Sequence, residues 1–303
     1  MISKIRNLFP LPLRRAIGPY VAYIFYKFNL LFRPNRQRPG VLSIERTINE
    51  IIGKNLSVIR FGDGELSLID NQDLGFQTRN PVLAKRLLEI IQSNDPGLML
   101  CIPGMWENID GFNKREFWFA LHHTFRYTST WLKILDPNRV YGDTFITRLY
   151  LTFKDKARSG DLFKKIFSLW QNRDTILIEG EKSRLGVGNN MFRNTKSLRR
   201  ILAPAENAFS RYEEIKAEAL KIDKNCVILL SLGPTAKVLA YDLYKLGYRV
   251  IDIGHIAMEY EMFLRGETKI IKVPGKYFNE INERNPGECN DKDYQSEIIA
   301  RIY

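Results

Sequence analysis

Two carboxylates, Asp63 and Glu65, stand one residue apart in a stretch that directly follows a short apolar run. Gly62 and Gly64 flank the first of them and allow backbone angles that other residues resist, so the chain can turn sharply and a ligand can come close. Paired hard oxygen donors suit Mg²⁺ or Mn²⁺, usually together with substrate phosphates. We therefore predict a divalent-metal site here; a solvated acidic turn is the alternative.

A glycine-rich stretch at 179–189 is a second candidate site, and it follows an apolar run at 175–178. It contains Lys182, Ser183 and Arg184 as well as three glycines, and such a mixture can wrap an anionic ligand with N–H groups and charge-assisted hydrogen bonds. The order and spacing of these residues differ from a Walker A loop. The alternative is an ordinary glycine-rich connection.

The clearest supersecondary unit lies between residues 226 and 253. An apolar strand, a Gly-Pro-Thr turn, a helix and a second apolar strand predict a parallel pair with a right-handed crossover. A helix that begins just after a strand attracts anions through its free N–H groups and its dipole. Ser231, Gly233 and Thr235 are therefore candidates to hold the phosphates or ribose of a nucleotide, although most such units bind nothing.

The remaining chain alternates between predicted strands and helices, which indicates a mostly parallel α/β sheet flanked by helices. The other strands are predicted at 58–61, 98–102, 140–147, 175–178 and 269–273, and the helices at about 43–52, from Asn80-Pro81 onward, within 105–135, at 162–170 and at 208–222. Ligands of such sheets bind beyond the carboxyl ends of the strands. The Asp63 turn, the Lys182 loop, the Gly233 turn and His255 all follow strand ends, so they can share one crevice.

Two further features have two interpretations each. Arg148 follows the strand predicted at 140–147 and is either a phosphate clamp or a surface residue. The aromatic side chains within 105–135 recur at helical spacing, which is more typical of a packed core than of a sugar-binding platform.

Charge is unevenly distributed along the chain. The formal net charge is +12, and residues 1–40 hold eight cationic and no acidic side chains, which leaves +4 for the remainder. The stretch 16–32 is aromatic and apolar but too short and interrupted to be a tidy membrane span. We predict a basic, amphipathic helical arm (1–40) that binds the anionic inner face of the cell membrane, attached to a catalytic domain at 41–303.

Packing of this arm on the domain or on a dimer partner, and a true span, are the alternatives, so a homo-oligomer stays open. Nucleic-acid binding is disfavoured because the body lacks a matching basic stripe. Three widely spaced cysteines suggest no disulfide framework and favour the cytoplasm, and three histidines make a His-rich zinc site improbable.

These motifs in combination resemble those of the GT-D-fold glycosyltransferases, bacterial enzymes that extend glycans on surface adhesins or polysaccharides. The matching segments are RFGDGE (60–65), TR (147–148), EGEKSRLGVGN (179–189), NAFSRYEEI (207–215), LGPTAKVLAYDL (232–243), DIGH (252–255), EYE (259–261) and KYFNE (276–280). The resemblance covers about residues 43–303. It implies a Rossmann-like sheet, a UDP-sugar donor, and Mn²⁺ (or Mg²⁺) held by Asp63 and Glu65. One departure is Asn190, where the family has an aspartate.

The motifs and the resemblance together predict which residues face the donor and the acceptor. Donor contacts would come from Arg60, Gly62, Arg148, Lys182, Ser183, Arg184, Ser231, Gly233, Thr235 and His255. If the transfer inverts the anomeric centre, a carboxylate must deprotonate the acceptor hydroxyl. Glu280 is our first candidate, Glu259 the second and Glu261 the third.

We therefore predict a metal-dependent hexosyltransferase that uses a UDP-sugar and a glycan, glycolipid or glycoprotein acceptor. The alternatives are another nucleotide-dependent transferase and a non-enzymatic protein that binds membranes or polyanions. The sugar, acceptor, linkage and stereochemistry stay open.

Overall fold

A computed structural model of the chain describes residues 23–24, 38–105, 109–281 and 285–303. Within this part, nine strands form one sheet in the order β1-β4-β3-β2-β8-β7-β5-β6-β9, and every pairing is parallel. The strands are β1 (Gly40–Val41), β2 (Ser57–Arg60), β3 (Leu98–Ile102), β4 (Val140–Asp143), β5 (Asp174–Gly180), β6 (Ser197–Ala203), β7 (Val227–Ser231), β8 (Arg249–Asp252) and β9 (Ile298–Arg301). The predicted parallel α/β architecture is confirmed.

The helices cover both faces of this sheet, which is why central strands such as β2 are buried along their whole length. They are α1 (Ile44–Gly53), α2 (Asp63–Ile69), α3 (Pro81–Ile91), α4 (Lys114–Ile134), α5 (Ser159–Phe167), α6 (Tyr212–Ala219), α7 (Thr235–Lys245), α8 (Ile256–Arg265) and α9 (Lys292–Glu297). One apolar core packs α2, α3, α4, α6 and α7 on one face, and a second packs α1, α5 and α8 on the other.

Local sequence signals explain where several helices begin. Asn80 caps α3 by accepting hydrogen bonds from the backbone N–H groups of Val82 and Leu83, with Pro81 in the first helical position. The glycine-flanked turn that holds Asp63 is tighter than predicted, because α2 already begins at Asp63. The two carboxylates of that segment therefore lie in the first turn of a helix, where the dipole favours negative charge.

Several strand assignments from the sequence need correction. The strand predicted at 140–147 ends at Asp143, and residues 144–147 form a short 3₁₀ helix. The prediction of a strand at 269–273 is wrong: this segment is irregular, and the final strand is β9. The sequence also missed β6, whose Arg199 and Arg200 do not look like a buried strand. Arg200 is nevertheless buried, because it forms ion pairs with Glu179 on β5 and Glu297 on α9.

The predicted membrane-binding arm (1–40) lies outside the described residues except for 23–24 and 38–40. In the part of the chain that the structure describes, no helix is both long and apolar enough to cross a membrane.

Candidate functional site

A cleft of about 450 Å³ opens at the carboxyl ends of β2, β3, β4, β5, β7 and β8. This is the crevice that a parallel sheet places beyond its strand ends. Ten of the predicted site residues line it: Arg60, Gly62, Asp63, Glu65, Arg148, Ser183, Ser231, Gly233, His255 and Glu280. Four do not: Lys182, Arg184, Thr235 and Glu259. The fold thus brings together residues that are up to 220 positions apart in sequence.

A buried chain of alternating charges forms the floor of the cleft. Arg60 at the end of β2 donates from Nη2 to Oδ1 of Asp252 over 2.9 Å and from Nη1 to the hydroxyl of Thr147 over 2.5 Å. Lys237, on the first turns of α7, places Nζ 3.1 Å from Oδ2 of Asp252 and 3.2 Å from Oε1 of Glu65. Two cations and two carboxylates therefore neutralise one another beneath the cleft.

Burial alone would raise the pKa of Asp252, but Arg60 and Lys237 lower it far below its ordinary value. Asp252 is therefore ionised at any physiological pH. Lys237 and Asp252 are functional candidates that the sequence analysis missed. Asp252 is the second-last residue of the strand predicted to end at 253, and this position near the strand end was the available signal. Nothing local to Lys237 indicated its partners.

The two carboxylates of the predicted metal site differ in what they offer. Asp63 is exposed on the cleft wall, and among the described residues its side chain has no hydrogen-bond partner. Glu65 is buried, and its Oε2 accepts the backbone N–H of Gly62 over 2.8 Å while Oε1 faces Lys237. Asp63 therefore fits the role of a metal ligand, whereas Glu65 can supply an oxygen only in competition with Lys237.

No group of three or more His, Cys, Asp or Glu side chains in the described ranges is arranged to hold a metal ion. A divalent ion at Asp63 would therefore take most of its ligands from a bound diphosphate and water, as Mg²⁺ and Mn²⁺ commonly do.

Across the cleft, Glu280 forms a triad with His255 and Arg148. Its Oε1 lies 3.1 Å from Nε2 of His255 and 3.5 Å from Nη2 of Arg148. Burial would raise the pKa of Glu280, but the contacts with His255 and Arg148 lower it to about 2. Burial and Arg148 lower the pKa of His255, so its imidazole is neutral near pH 7. An ionised carboxylate and a neutral imidazole thus face the cleft together.

His255 has a left-handed backbone (φ 68°) at the start of α8. This conformation is unusual for a residue with a side chain and clusters at functional sites. The preceding Gly254 is needed for close packing, because a Cβ there would lie 2.9 Å from Nη2 of Arg60. The backbone that leads into His255 therefore packs directly against Arg60 in the floor of the cleft.

Glu259, the second predicted base, lies under the cleft wall and not in it. It is fully buried, and Oε2 accepts the backbone N–H groups of Tyr150 and Leu151 over 2.9 and 2.7 Å. Burial raises its pKa, partly offset by those hydrogen bonds and by Arg148. Glu259 thus holds the segment that carries Arg148. Glu261 is similarly buried and is paired with Lys276 and Asn189.

The glycine-rich stretch at 179–189 mostly holds other chain segments in place. Arg184 is buried and donates to the carbonyl oxygens of Gly275 and Gly287. The carbonyl oxygen of Lys182 accepts the backbone N–H of Tyr277 over 3.0 Å. These bonds place the segment that contains Glu280 against the sheet, and of the three residues at 182–184 only Ser183 lines the cleft.

Two other positions also lie outside the cleft lining. Asn190, the departure noted above, accepts from the hydroxyl of Tyr260 over 2.6 Å, so its missing carboxylate does not change the cleft wall. Thr235 is the first residue of α7, and its buried hydroxyl has no hydrogen-bond partner among the described residues.

Comparison with known proteins finds relatives that are described as glycosyltransferases. The family model described as "Glycosyltransferase GT-D fold" matches residues 58–281. A probable glycosyl transferase, Gly, from Streptococcus gordonii is 38% identical over 277 residues, which is 90% of this chain and 40% of that protein. The glycosyltransferase GlyD of Streptococcus pneumoniae serotype 4 is 36% identical over 264 residues, 86% of this chain and 32% of its own length. The chain thus spans less than half the length of these curated relatives.

Solved structures show the same similarity over nearly their full length. A structure described as domain of unknown function 1792 with a distinct glycosyltransferase fold superposes with a TM-score of 0.85 at 38% identity, and covers 89% of this chain and 98% of its own. A structure described as a new glycosyltransferase from Streptococcus sanguinis gives a TM-score of 0.84 at 38% identity, and covers 88% of this chain and 100% of its own.

Proposed function

Because the chain belongs to the GT-D fold glycosyltransferase family, we propose that it moves a hexose from a UDP-sugar to a glycan acceptor in surface glycoprotein or polysaccharide biosynthesis. One observation carries this proposal. The exposed carboxylate of Asp63, the turn at Gly233 and the Glu280–His255 pair all line one cleft. A nucleotide diphosphate-sugar needs these three kinds of group: a metal ligand, an anion-binding backbone and a base.

We place the donor's diphosphate near the N-terminal ends of two helices that border the cleft. Helix α2 begins at Asp63 and helix α7 begins at Thr235, just after Gly233. The free N–H groups and dipoles of helix N-termini attract phosphate oxygens. Ser231 and Ser183 offer hydroxyl groups at the same end of the sheet.

Asp63 would hold a Mn²⁺ or Mg²⁺ ion beside the diphosphate, and Glu65 would contribute an oxygen only if its contact with Lys237 were broken. When bound, the ion supplies positive charge that stabilises the departing UDP. Arg148 lines the opposite wall with a cationic side chain that is 27% exposed. Lys182 and Arg184 are less suitable donor contacts because they do not line the cleft.

For an inverting transfer, Glu280 is the base that the geometry supports best. Its carboxylate removes the proton of the acceptor hydroxyl, the hydroxyl oxygen forms a bond to C1 of the sugar, and the bond from C1 to the diphosphate breaks. His255 holds the ionised Glu280 in place through its Nε2–H. The low pKa of Glu280 makes it a weak base, so the hydrogen bond to His255 must loosen as the acceptor binds.

The proposal extends to location through the sequence of residues 1–40. Eight cations without an acid, interleaved with aromatic residues, favour binding to the anionic inner face of the cell membrane. An enzyme held there would meet glycolipid or glycoprotein acceptors close to where they are made.

The proposed function is tested with a panel of UDP-hexoses, with hydrolysis and transfer measured in the presence of Mn²⁺, Mg²⁺ or EDTA. We expect UDP release from at least one UDP-sugar, stimulated by the metal. Release of inorganic phosphate or transfer of a nucleotidyl group instead of a sugar would show that this is a different transferase.

A further inference from the structure

One wall of the cleft comes from helix α4 and has no role in the proposed chemistry. Glu116, Phe119 and His123 line the cleft and are spaced three and four residues apart, so they form one stripe along this helix. Met105, which follows β3, and Phe145, which follows β4, belong to one apolar cluster with this helix, whereas Gly233 follows β7 on the other side of β2 in the sheet. None of the three side chains is among the groups assigned above to the diphosphate.

Phe119 does not behave as the core residue that the sequence predicted. Trp131 and Tyr127 on the same helix are buried in the core, as expected for aromatics at helical spacing. Phe119 instead exposes 39% of its surface, and it does so inside the cleft. An exposed aromatic ring in a cleft offers a flat apolar surface that water solvates poorly.

His123 adds a directed hydrogen-bond donor. Its Nε2 lies 3.0 Å from Nε1 of Trp131, and an indole N–H can only donate. Burial lowers the pKa of His123 to about 4, so the ring is neutral and carries one proton. Because Nε2 must accept, the proton is on Nδ1. This Nδ1–H is buried and has no hydrogen-bond partner among the described residues.

A buried donor without a partner lowers the stability of the fold by roughly 1–3 kcal/mol. Such a group therefore usually has a hydrogen-bond partner when the protein binds its ligand. His123 is 2% exposed, and its ring lies 6.0 Å from that of Phe119. The ring that carries the unused donor is thus next to the exposed ring of Phe119. Glu116, one turn earlier, adds a carboxylate whose side chain is 15% exposed.

We propose that Glu116, Phe119 and His123 form a subsite for a pyranose ring. The apolar C–H face of the sugar packs on Phe119, one sugar oxygen accepts from Nδ1–H of His123, and a sugar hydroxyl donates to Glu116. This inference rests on the proposed function for its context but on separate residues for its evidence. The ring belongs either to the hexose of the donor or to the terminal sugar of the acceptor, since both present the same chemistry.

Two variants of the full chain separate the contribution of the Phe119 ring from that of the His123 hydrogen-bond donor. Phe119→Leu removes the ring face and keeps an apolar side chain. His123→Gln keeps an acceptor within reach of Trp131 and has no donor at the position of Nδ1, because its amide N–H groups lie farther along the side chain. Phe125→Leu is the matched control, because Phe125 lies on the same helix, is 50% exposed and does not line the cleft.

The probes are UDP, a set of UDP-hexoses, and methyl glycosides of the same hexoses added with UDP; dissociation constants are measured by calorimetry or saturation-transfer NMR. We expect each cleft variant to weaken binding of a sugar-bearing probe by about three- to tenfold, the loss of one neutral hydrogen bond or ring contact. UDP binding should stay within about twofold in every variant, and Phe125→Leu should match the wild type.

The two sources of the sugar give different results. Weaker binding of the UDP-hexose assigns the subsite to the donor, and weaker binding of the methyl glycoside alone assigns it to the acceptor. If both variants bind every sugar probe as the wild type does, the donor at His123 is satisfied by water and the inference is wrong. If the wild type binds methyl glycosides at this wall but no UDP-hexose, the subsite stands and the proposed donor is wrong.

Discussion

Nζ of Lys237 lies between Glu65 and Asp252, 3.2 Å from an oxygen of the first and 3.1 Å from an oxygen of the second. The same ammonium group donates to the carbonyl oxygen of Gly233 over 3.2 Å. One lysine therefore connects the predicted metal site, the floor of the cleft and the glycine turn at the start of α7. A cation that binds at Glu65 must compete with this ammonium group.

Lys237→Met is expected to lower the Tm of the protein and to increase the rise in Tm that Mn²⁺ causes. Removing one partner from a buried ion pair costs roughly 3 kcal/mol, because the remaining carboxylate loses its compensation. Mn²⁺ should recover part of this loss, since Glu65 is then free to bind it. Thermal unfolding with and without MnCl₂ measures both effects.

The control for this comparison is Lys216→Met, which removes a less buried ion pair with Asp242 away from the cleft. Lys216→Met should lower the Tm by less than Lys237→Met does, and Mn²⁺ should raise its Tm no more than it raises that of the wild type. Equal shifts of the Tm with Mn²⁺ in wild type and Lys237→Met would show that Lys237 and the metal do not compete.

Asp63→Asn is expected to abolish metal-dependent binding of UDP-sugars and to leave the fold intact. The side chain is exposed and has no partner within the described residues, so its loss affects the helix only through the dipole, by about 0.3–1 kcal/mol. Calorimetric titration with UDP and Mn²⁺ gives the affinity. Asp70→Asn, at the other end of the same helix and outside the cleft lining, is the control; unchanged affinity in Asp63→Asn would remove this residue from the metal site.

Glu280→Gln is expected to lower kcat of sugar transfer by roughly 10²-fold or more, because the amide cannot accept the proton of the acceptor hydroxyl. Binding of the UDP-sugar should stay near the wild-type value. Glu288→Gln, an exposed carboxylate in the same part of the chain, should transfer normally. A normal rate in Glu280→Gln, or a product that retains the donor's anomeric configuration, would refute the single-base inverting mechanism.

The pH dependence of transfer distinguishes the two candidate bases. The pKa of Glu280 is held at about 2, so its basic form is fully populated at higher pH and is lost only as the pH falls through that value. Burial raises the pKa of Glu259, whose basic form would be lost already at higher pH. We expect no acid limb from a carboxyl group in kcat/KM between about pH 5 and 8. An acid limb in this range that disappears in Glu259→Gln would contradict the assignment to Glu280.

The basic arm is expected to bind anionic membranes. Replacing Arg14 and Arg15 with glutamine in the full chain removes two of the eight cations in residues 1–40. Each cation near an anionic surface contributes about 1 kcal/mol, so flotation with phosphatidylserine liposomes should decrease at least tenfold and should weaken in high salt. Removing two cations from the body, Lys85 and Lys224, is the control; equal losses in both variants would mean that the arm has no special role.

The sequence by itself determined the parallel α/β fold and the end of the sheet where the cleft lies. Alternating apolar strands and helices are local patterns, and parallel pairing then places every strand end on the same side. This is why the glycine turns at Gly62 and Gly233, together with His255, could be predicted to share one crevice. Segments without a clear pattern were less predictable: β6 contains two arginines, and β9 follows a polar tail.

The tertiary structure alone decided which side chains face the cleft and which face the interior. Arg184 and Glu259 carry charges suited to a site, yet each is buried on backbone groups of a distant segment. Lys237 pairs with Glu65, and Phe119 exposes its ring where the sequence predicted core. A buried charge is tolerated only where partners compensate its desolvation. Those partners lie far away in sequence, so the direction of a polar side chain follows from packing and not from its neighbours along the chain.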